Sequence, residues 1–390
     1  MTDGTPRALP AAPFVLATTT ATALVLSAPF VGHIRSAVRA AFPGQYLLII
    51  AGTAGLGLAL ALGSAAWRIR DRRALRYGLI VLALLIAAGY SAWNTSPSPE
   101  RNAVERFHFL QYGLIAFLFC RAWRPLEDAA VIILPLLAGL IVSAAEEWLQ
   151  WFIPNRVGEI NDVLLNLVAI VCGLLFSLGI DPPRGFAHAP APASRPRIAR
   201  LSIAALLAVA AFFHIVHLGY VVRDPEIGSF TTRYAPARLV ALQEERAATW
   251  ATSPPPTTLV RLSREDQYLS EGMEHVRERN EQWAAGMIRA AWLENRILEK
   301  YYAPVLRTPS HEGMNHAWPD AQRADAYGRA TTAEPSGSFV SAAYPYPIYP
   351  WSKSAFWAIV ALLAAIIRWA GSKAGTSGLV STAESRDTLR

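Results

Sequence analysis

Apolar stretches long enough to cross a hydrocarbon core of about 30 Å recur near 13–31, 45–67, 77–93, 108–123, 129–152, 161–180, 200–221 and 353–370. They predict an all-α fold, a multi-pass bundle of about eight transmembrane helices, of which the fourth is the weakest. The rhythm breaks at length only between the seventh and eighth stretches, where a polar segment runs from Arg223 to Pro350. Within it Leu269, Met273, Val276, Asn280, Trp283, Met287, Ala290, Ile297 and Tyr301 recur at steps of three and four. That spacing predicts one amphipathic helix over 263–303, opened by a capping box at Ser263–Asp266 and stopped by Pro304. Its apolar stripe needs a partner: a shorter helix around Pro236–Trp250, another protein, or a second copy of the chain.

The chain then divides into an N-terminal membrane pair (1–76), a four-helix membrane domain (77–180) and a Pro/Ala/Arg linker (181–199). A seventh membrane helix (200–221), a mainly helical polar domain (222–351), a last membrane helix (352–371) and a tail (372–390) follow. Composition agrees with this division. Of 390 residues, 53% are hydrophobic and only 17% charged, the balance of a membrane protein. Arg68–Arg76, Arg121, Arg124, Arg184, Arg195, Arg197, Arg200, Arg368 and Lys373 fall on one side of an alternating path, with Arg35 and Arg39 on the other. The excess of basic residues predicts that the first side is cytoplasmic, with both termini inside and the polar domain outside. The net charge of +7 is thus a topology signal, and no basic surface for nucleic acid is expected. Cys120 and Cys172 lie in predicted membrane helices, which leaves no disulfide framework.

Candidate chemistry gathers in the central helices. Glu105, His108 and Tyr112 are spaced to share one helix face, with Arg106 elsewhere on the same turn. Ser143, Glu147 and Gln150 share a face of the fifth helix, where Glu146 and Gln150 are also four apart; Asp162 and Asn166 share one on the sixth. The turn at 154–161 places Arg156 between the last two sets. Carboxylates at membrane depth are costly and face partners or water, so these sets are expected to converge on one pocket at the outer face. Arg106, Arg156, His108, Gln150 and Asn166 are the expected partners of Glu146 and Glu147. Such a pocket suits a polar or anionic head group, with Arg156 as anion clamp and His108 or a carboxylate as proton donor or acceptor. A network that only locks three helices together is the alternative. Glu147, His108 and Asp162 are hard-ligand types, but no tight ligand spacing supports a metal.

Other motifs carry less. Gly52–Gly63 is rich in glycine but lies in a membrane span, where small residues permit close helix packing. His311–His316 lacks the spacing of a zinc-protease helix. His214 and His217, three apart, fit packing or interfacial hydrogen bonding better than a cofactor site. The sequence names neither a catalytic residue nor a cofactor.

Three ordered blocks, spanning about residues 77–180, resemble the VanZ-like family of bacterial polytopic membrane proteins. They read Glu105-Arg106-Phe107-His108-Phe109 with Tyr112; Glu147, Gln150, Phe152, Pro154 and Arg156; and Asp162, Asn166 and Gly173. Glu105 and Arg106 stand where Asp and Lys are commoner in the family, Glu146 where Asp is, Glu159 where a small hydroxyl is frequent, and Ala169 where Gly is usual. The resemblance implies a multi-pass domain of the bacterial cytoplasmic (inner) membrane. The family takes its name from a protein linked to low-level teicoplanin resistance, a property not carried to this chain.

Three readings compete. The chain is an accessory or scaffolding protein of the cell envelope that binds a lipid or glycan head group, a membrane enzyme using His108, Glu147 and Asp162 on a lipid-linked or polysaccharide substrate, or a subunit of a larger membrane complex. A transporter is disfavoured because the charges sit at one membrane end. Expected partners are membrane lipids, an envelope glycan or lipid-linked precursor, and a protein docking on the helix at 263–303.

Overall fold

The computed structural model describes residues 10–153, 158–183, 185–253, 255, 267–310, 315–330, 339–344 and 346–387, with side chains as far as Ser372. The chain forms two compact units. Met1–Gln150, Gly158–Phe212 and Trp357–Arg390 make up a membrane unit; Trp151–Val157 and Phe213–Phe356 make up a polar unit. Arg156, Arg184, His311 and the predicted capping box at Ser263–Asp266 lie outside the described residues.

The membrane unit is built from α1 (Ala11–Ala41), α2 (Tyr46–Arg68), α3 (Arg73–Trp93), α4 (Pro99–Trp123), α5 (Ala130–Gln150) and α6 (Ile160–Ile180), with α7 (Arg195–His217) and, after the polar unit, α13 (Lys353–Asp387). Among the described residues seven of these helices are long and apolar enough to cross a membrane; α4 is the one that is not. At 25 residues α4 has the length, but Glu100, Arg101, Glu105, Arg106 and His108 load its first half with polar groups. Nevertheless it sits at the centre of the bundle, packed on α1, α2, α5 and most extensively on α6. Its capping is local: Ser98 accepts from the Arg101 N–H, and Pro99 takes a first-turn position where a missing N–H costs nothing.

Small residues set the α4–α6 spacing. A Cβ on Gly173 would stand 2.6 Å from the Gly113 Cα, so the backbones touch there. Tyr112, Ala116, Cys120, Ala169, Ile170 and Leu174 form the buried seam beside them, with Val131 of α5. Farther from the polar groups, Arg124 pairs with Asp181 at 2.8 Å, and Arg76 donates to the Gly179 and Ile180 carbonyls at 2.8 and 2.6 Å. Those last carbonyls of α6 have no intrahelical partner, and a cation supplies one. By contrast α2 is almost wholly unburied, showing Leu48, Leu56, Leu60 and Trp67 on its surface. Of its glycines Gly57 meets a neighbour, Leu110, whereas Gly52, Gly55 and Gly63 have open space where a Cβ would be.

The polar unit departs from the sequence expectation in two ways. First, α7 stops at His217, and the apolar run continues as a strand: β1 (Tyr220–Asp224) pairs antiparallel with β2 (Gly228–Thr232), from Tyr220 opposite Thr232 to Asp224 opposite Gly228. Gly228, at φ +125°, makes the return turn. Second, the single helix expected over 263–303 is two, α9 (Gln267–Ala284) and α10 (Ile288–Tyr301), broken at Gly286 with φ +76°. The two pack against each other, with α8 (Pro236–Thr252), the short α11 (Ala303–Leu306) and α12 (Asp320–Ala330) around them. The expected stripe is buried at Leu269, Met273, Val276 and Ile297, while Met287 at the break is 53% exposed.

That hairpin buries a polar row as well. Glu271, His275 and Arg279, four apart on α9, are each at most 1% exposed. Glu271 accepts from Thr232, Tyr302, Tyr344 and the Arg233 N–H at 2.6–3.0 Å. Burial pushes its carboxyl upward against those donors. His275 meets Glu294 at 2.7 Å. Arg279 donates to Asn295 and the Asn315 carbonyl and lies over the Trp318 ring; burial lowers it to about 10. His217 places Nδ1 at 2.8 Å from the Pro347 carbonyl, and His316 hydrogen-bonds Thr308 at 2.7 Å.

Candidate functional site

The polar residues of α4, α5 and α6 meet on the Pro99 side of the Gly113–Gly173 contact. His108 lies five residues before Gly113 and Asn166 seven before Gly173, so two parallel helices in backbone contact bring them together. The His108 Nδ1–H donates to Asn166 Oδ1 at 2.8 Å, and Asn166 Nδ2 donates to Ser143 Oγ on α5 at 2.9 Å. The Ser143 hydroxyl faces the Tyr112 oxygen, and the Tyr112 hydroxyl donates to Glu146 Oε2. Each donor in this series is aimed at the next acceptor, and the series ends on a carboxylate. Tyr112, Ser143 and Asn166 are fully buried and Glu146 is 7% exposed. In so dry a place an acceptor carrying charge gains more from a hydroxyl than a neutral one does.

Glu147, also fully buried, belongs to a second cluster. Gln150 Nε2 donates to it at 3.1 Å and the Glu159 N–H at 3.4 Å. The chain can return this closely because of Gly158: a Cβ there would stand 2.2 Å from the Glu147 carbonyl oxygen.

A third set is a rim rather than an interior. Glu105 accepts from Arg101 Nε at 2.9 Å and from Asn94 Nδ2 at 3.4 Å, and Arg101 lies 3.9 Å from Glu159. Asp162 is half-buried near them. Burial, then the charge of Asp162, raises the Glu159 carboxyl from its ordinary value. Arg39 of α1 pairs with Glu100 at the start of α4.

The structure therefore gathers His108, Tyr112, Glu146 and Asn166 in one hydrogen-bonded series, sets Glu147 with Gln150, and places Glu105 and Asp162 at the rim. Arg106 departs from expectation. It was expected among the partners of the buried acids, but it is exposed and turned toward α3, because one residue from Glu105 is a rotation of about 100° around the helix. It lines a recess of about 420 Å³ with Phe109 and with Ala87, Ala88, Ser91 and Ala92 of α3. Tyr112 and Gln150 fill the role expected of it. Ser143 and Gly158 are contributors that the sequence signals less directly. Ser143 is a hydroxyl four residues before Glu147, and Gly158 is a glycine in a turn between charged residues. Among the described residues no three His, Cys, Asp or Glu side chains gather as a metal site.

One family model, described as VanZ/LLP1, matches residues 63–180. The match includes α3 to α6 and reaches back into the end of α2. No curated protein and no solved structure is significantly similar to the chain.

Proposed function

Since residues 63–180 are a VanZ-like domain of a multi-pass membrane protein, we propose that the chain is an accessory or scaffolding protein of the bacterial cell envelope that holds the head group of a lipid or lipid-linked glycan at the α3–α4 rim. The observation that supports this reading is Arg106: a charged side chain without an acidic partner among the described residues, at the mouth of a recess floored by alanine and serine. Small residues leave room for a head group, and a guanidinium offers paired donors to a phosphate or carboxylate. In this proposal the buried series from His108 to Glu146 fixes α4 against α5 and α6, which fixes Arg106 in turn. The protein lies in the inner membrane with both termini cytoplasmic and this rim outward. A protein partner docks on the polar unit through the exposed side of α9 and α10.

The test compares lipids that co-purify with the wild type and with Arg106→Gln, read by mass spectrometry. Arg106 is exposed, so the variant folds. Loss of a phosphate- or carboxylate-bearing lipid from the variant is the expected result, and equal lipid content in both proteins rejects the proposal. Cysteine labelling at Arg39→Cys and Arg70→Cys, on opposite sides in this topology, checks the orientation.

A further inference from the structure

A second recess, of about 1280 Å³, opens at the other end of the membrane unit, where α2 ends and α3 begins. It exceeds the roughly 300–1,000 Å³ of most small-molecule clefts. Four arginines line it, and two of them are occupied. Arg76, 7% exposed, donates to the α6 carbonyls and to Asp71 at 2.5 Å; Arg124 is paired with Asp181. Arg68 and Arg72 also line it and make no ion pair among the described residues.

The backbone adds to their effect. Arg72 is held at φ 43°, in the left-handed region, and serves as the N-cap of α3 without a side-chain cap hydrogen bond. A non-glycine residue there costs about 1–2 kcal/mol, and the N-terminus of this 21-residue helix, with the partial positive charge of its first N–H groups, receives no side-chain cap from Arg72. The remaining wall is apolar: Leu79, Ile132 and Leu178 inside, with Trp67 and Leu75 at the mouth, 72% and 62% exposed. Paired cations beside an apolar wall at the end of membrane helices match a ligand with a phosphate and hydrocarbon tails.

We propose that this recess binds an anionic phospholipid, its phosphate between Arg68 and Arg72 and its tails along Leu75 and Leu79. The site is separate from the Arg106 rim and stands whether or not that reading does.

Full-length protein in detergent is titrated with phosphatidylglycerol, phosphatidylcholine or inorganic phosphate and read by native mass spectrometry. Each arginine near a membrane phosphate contributes about fivefold in affinity, so Arg68→Gln with Arg72→Gln weakens phosphatidylglycerol binding about thirtyfold. Arg195→Gln with Arg197→Gln, which removes the same charge elsewhere, leaves it unchanged. Leu79→Trp, which narrows the recess along the path given to the tails and keeps both arginines, also weakens phosphatidylglycerol binding. Equal losses in the two double variants, undiminished binding by Leu79→Trp, or phosphatidylcholine bound as well as phosphatidylglycerol would overturn the proposal. Inorganic phosphate binding as tightly as the lipid would assign the arginines to a free anion and overturn the lipid. The fall caused by Arg68→Gln with Arg72→Gln is expected whether Arg106 is intact or replaced by Gln, which keeps this result distinct from that of the rim.

Discussion

Gly113 and Gly173 touch backbone to backbone, and the contact is unequal: a Cβ on Gly173 would lie 2.6 Å from the Gly113 Cα and carbonyl oxygen, whereas a Cβ on Gly113 would find its nearest neighbour at 3.9 Å. The methyl of Gly113→Ala therefore fits at ordinary contact distance. That of Gly173→Ala drives two helices apart, an overpacking cost of about 1–3 kcal/mol. Thermal unfolding in detergent is expected to show Gly113→Ala near the wild type and Gly173→Ala clearly lower. Equal behaviour of the two would mean that the helices are not in contact there.

Tyr112 and Glu146 form the end of the buried series, so each should depend on the other. Tyr112→Phe leaves a buried carboxylate without its hydroxyl donor, at about 1–3 kcal/mol. Glu146→Gln also weakens the bond. A double-mutant cycle is expected to give a coupling of about 1 kcal/mol or more, and additive effects would show that the two side chains act independently.

Asp224 gives the polar unit a pH dependence in acid. Burial disfavours its charge, yet Lys300, Tyr301 and the Glu226 N–H hold its carboxyl at about 2 against an ordinary 3.8. A lowered folded-state value contributes stability that is present above the unfolded value and is lost as pH falls through the folded one, here from about 4 down to about 2. The difference corresponds to about 2 kcal/mol. Unfolding of the full chain between these pH values is expected to steepen relative to Asp224→Asn, and parallel curves would contradict the assignment.

Two glycines with positive φ separate backbone strain from crowding. Gly286, at φ +76°, has open space around it, so Gly286→Ala carries only the left-handed cost of about 1–2 kcal/mol. Gly228, at φ +125°, would put a Cβ 2.3 Å from the Phe339 carbonyl oxygen. Gly228→Ala should therefore lower the melting temperature of the full chain more than Gly286→Ala; the reverse order would exclude the Phe339 contact.

The membrane helices were legible because an apolar run of that length has one common solution in lipid. α4 was read least clearly for the same reason. Its apolar content is diluted by Glu105, which pairs with Arg101 and Asn94, by His108, which pairs with Asn166 of α6, and by Arg106, which faces the recess beside α3. The spacing of His108 and Tyr112 carries their shared face, and one residue of rotation carries Arg106 away from it. β1 was hidden because Leu218–Val222 prolongs the apolar run of α7 without a new period; Gly219 and the Pro225–Gly228 turn are the signals that mark the change. Nothing local marks Glu271, His275 and Arg279 as buried, since a polar row on a helix is buried only when its neighbours supply matching donors and acceptors. Thr232, Tyr302, Glu294 and Asn295 do so from positions that no local pattern connects.

The Arg76 guanidinium reaches from the first turn of α3 to the last carbonyls of α6, some hundred positions along the chain. One side chain thus clasps the entrance and the exit of the segment side by side. A block whose ends emerge together is easily spliced between other pieces. Here a helical pair precedes it, and α7, the polar unit and α13 follow.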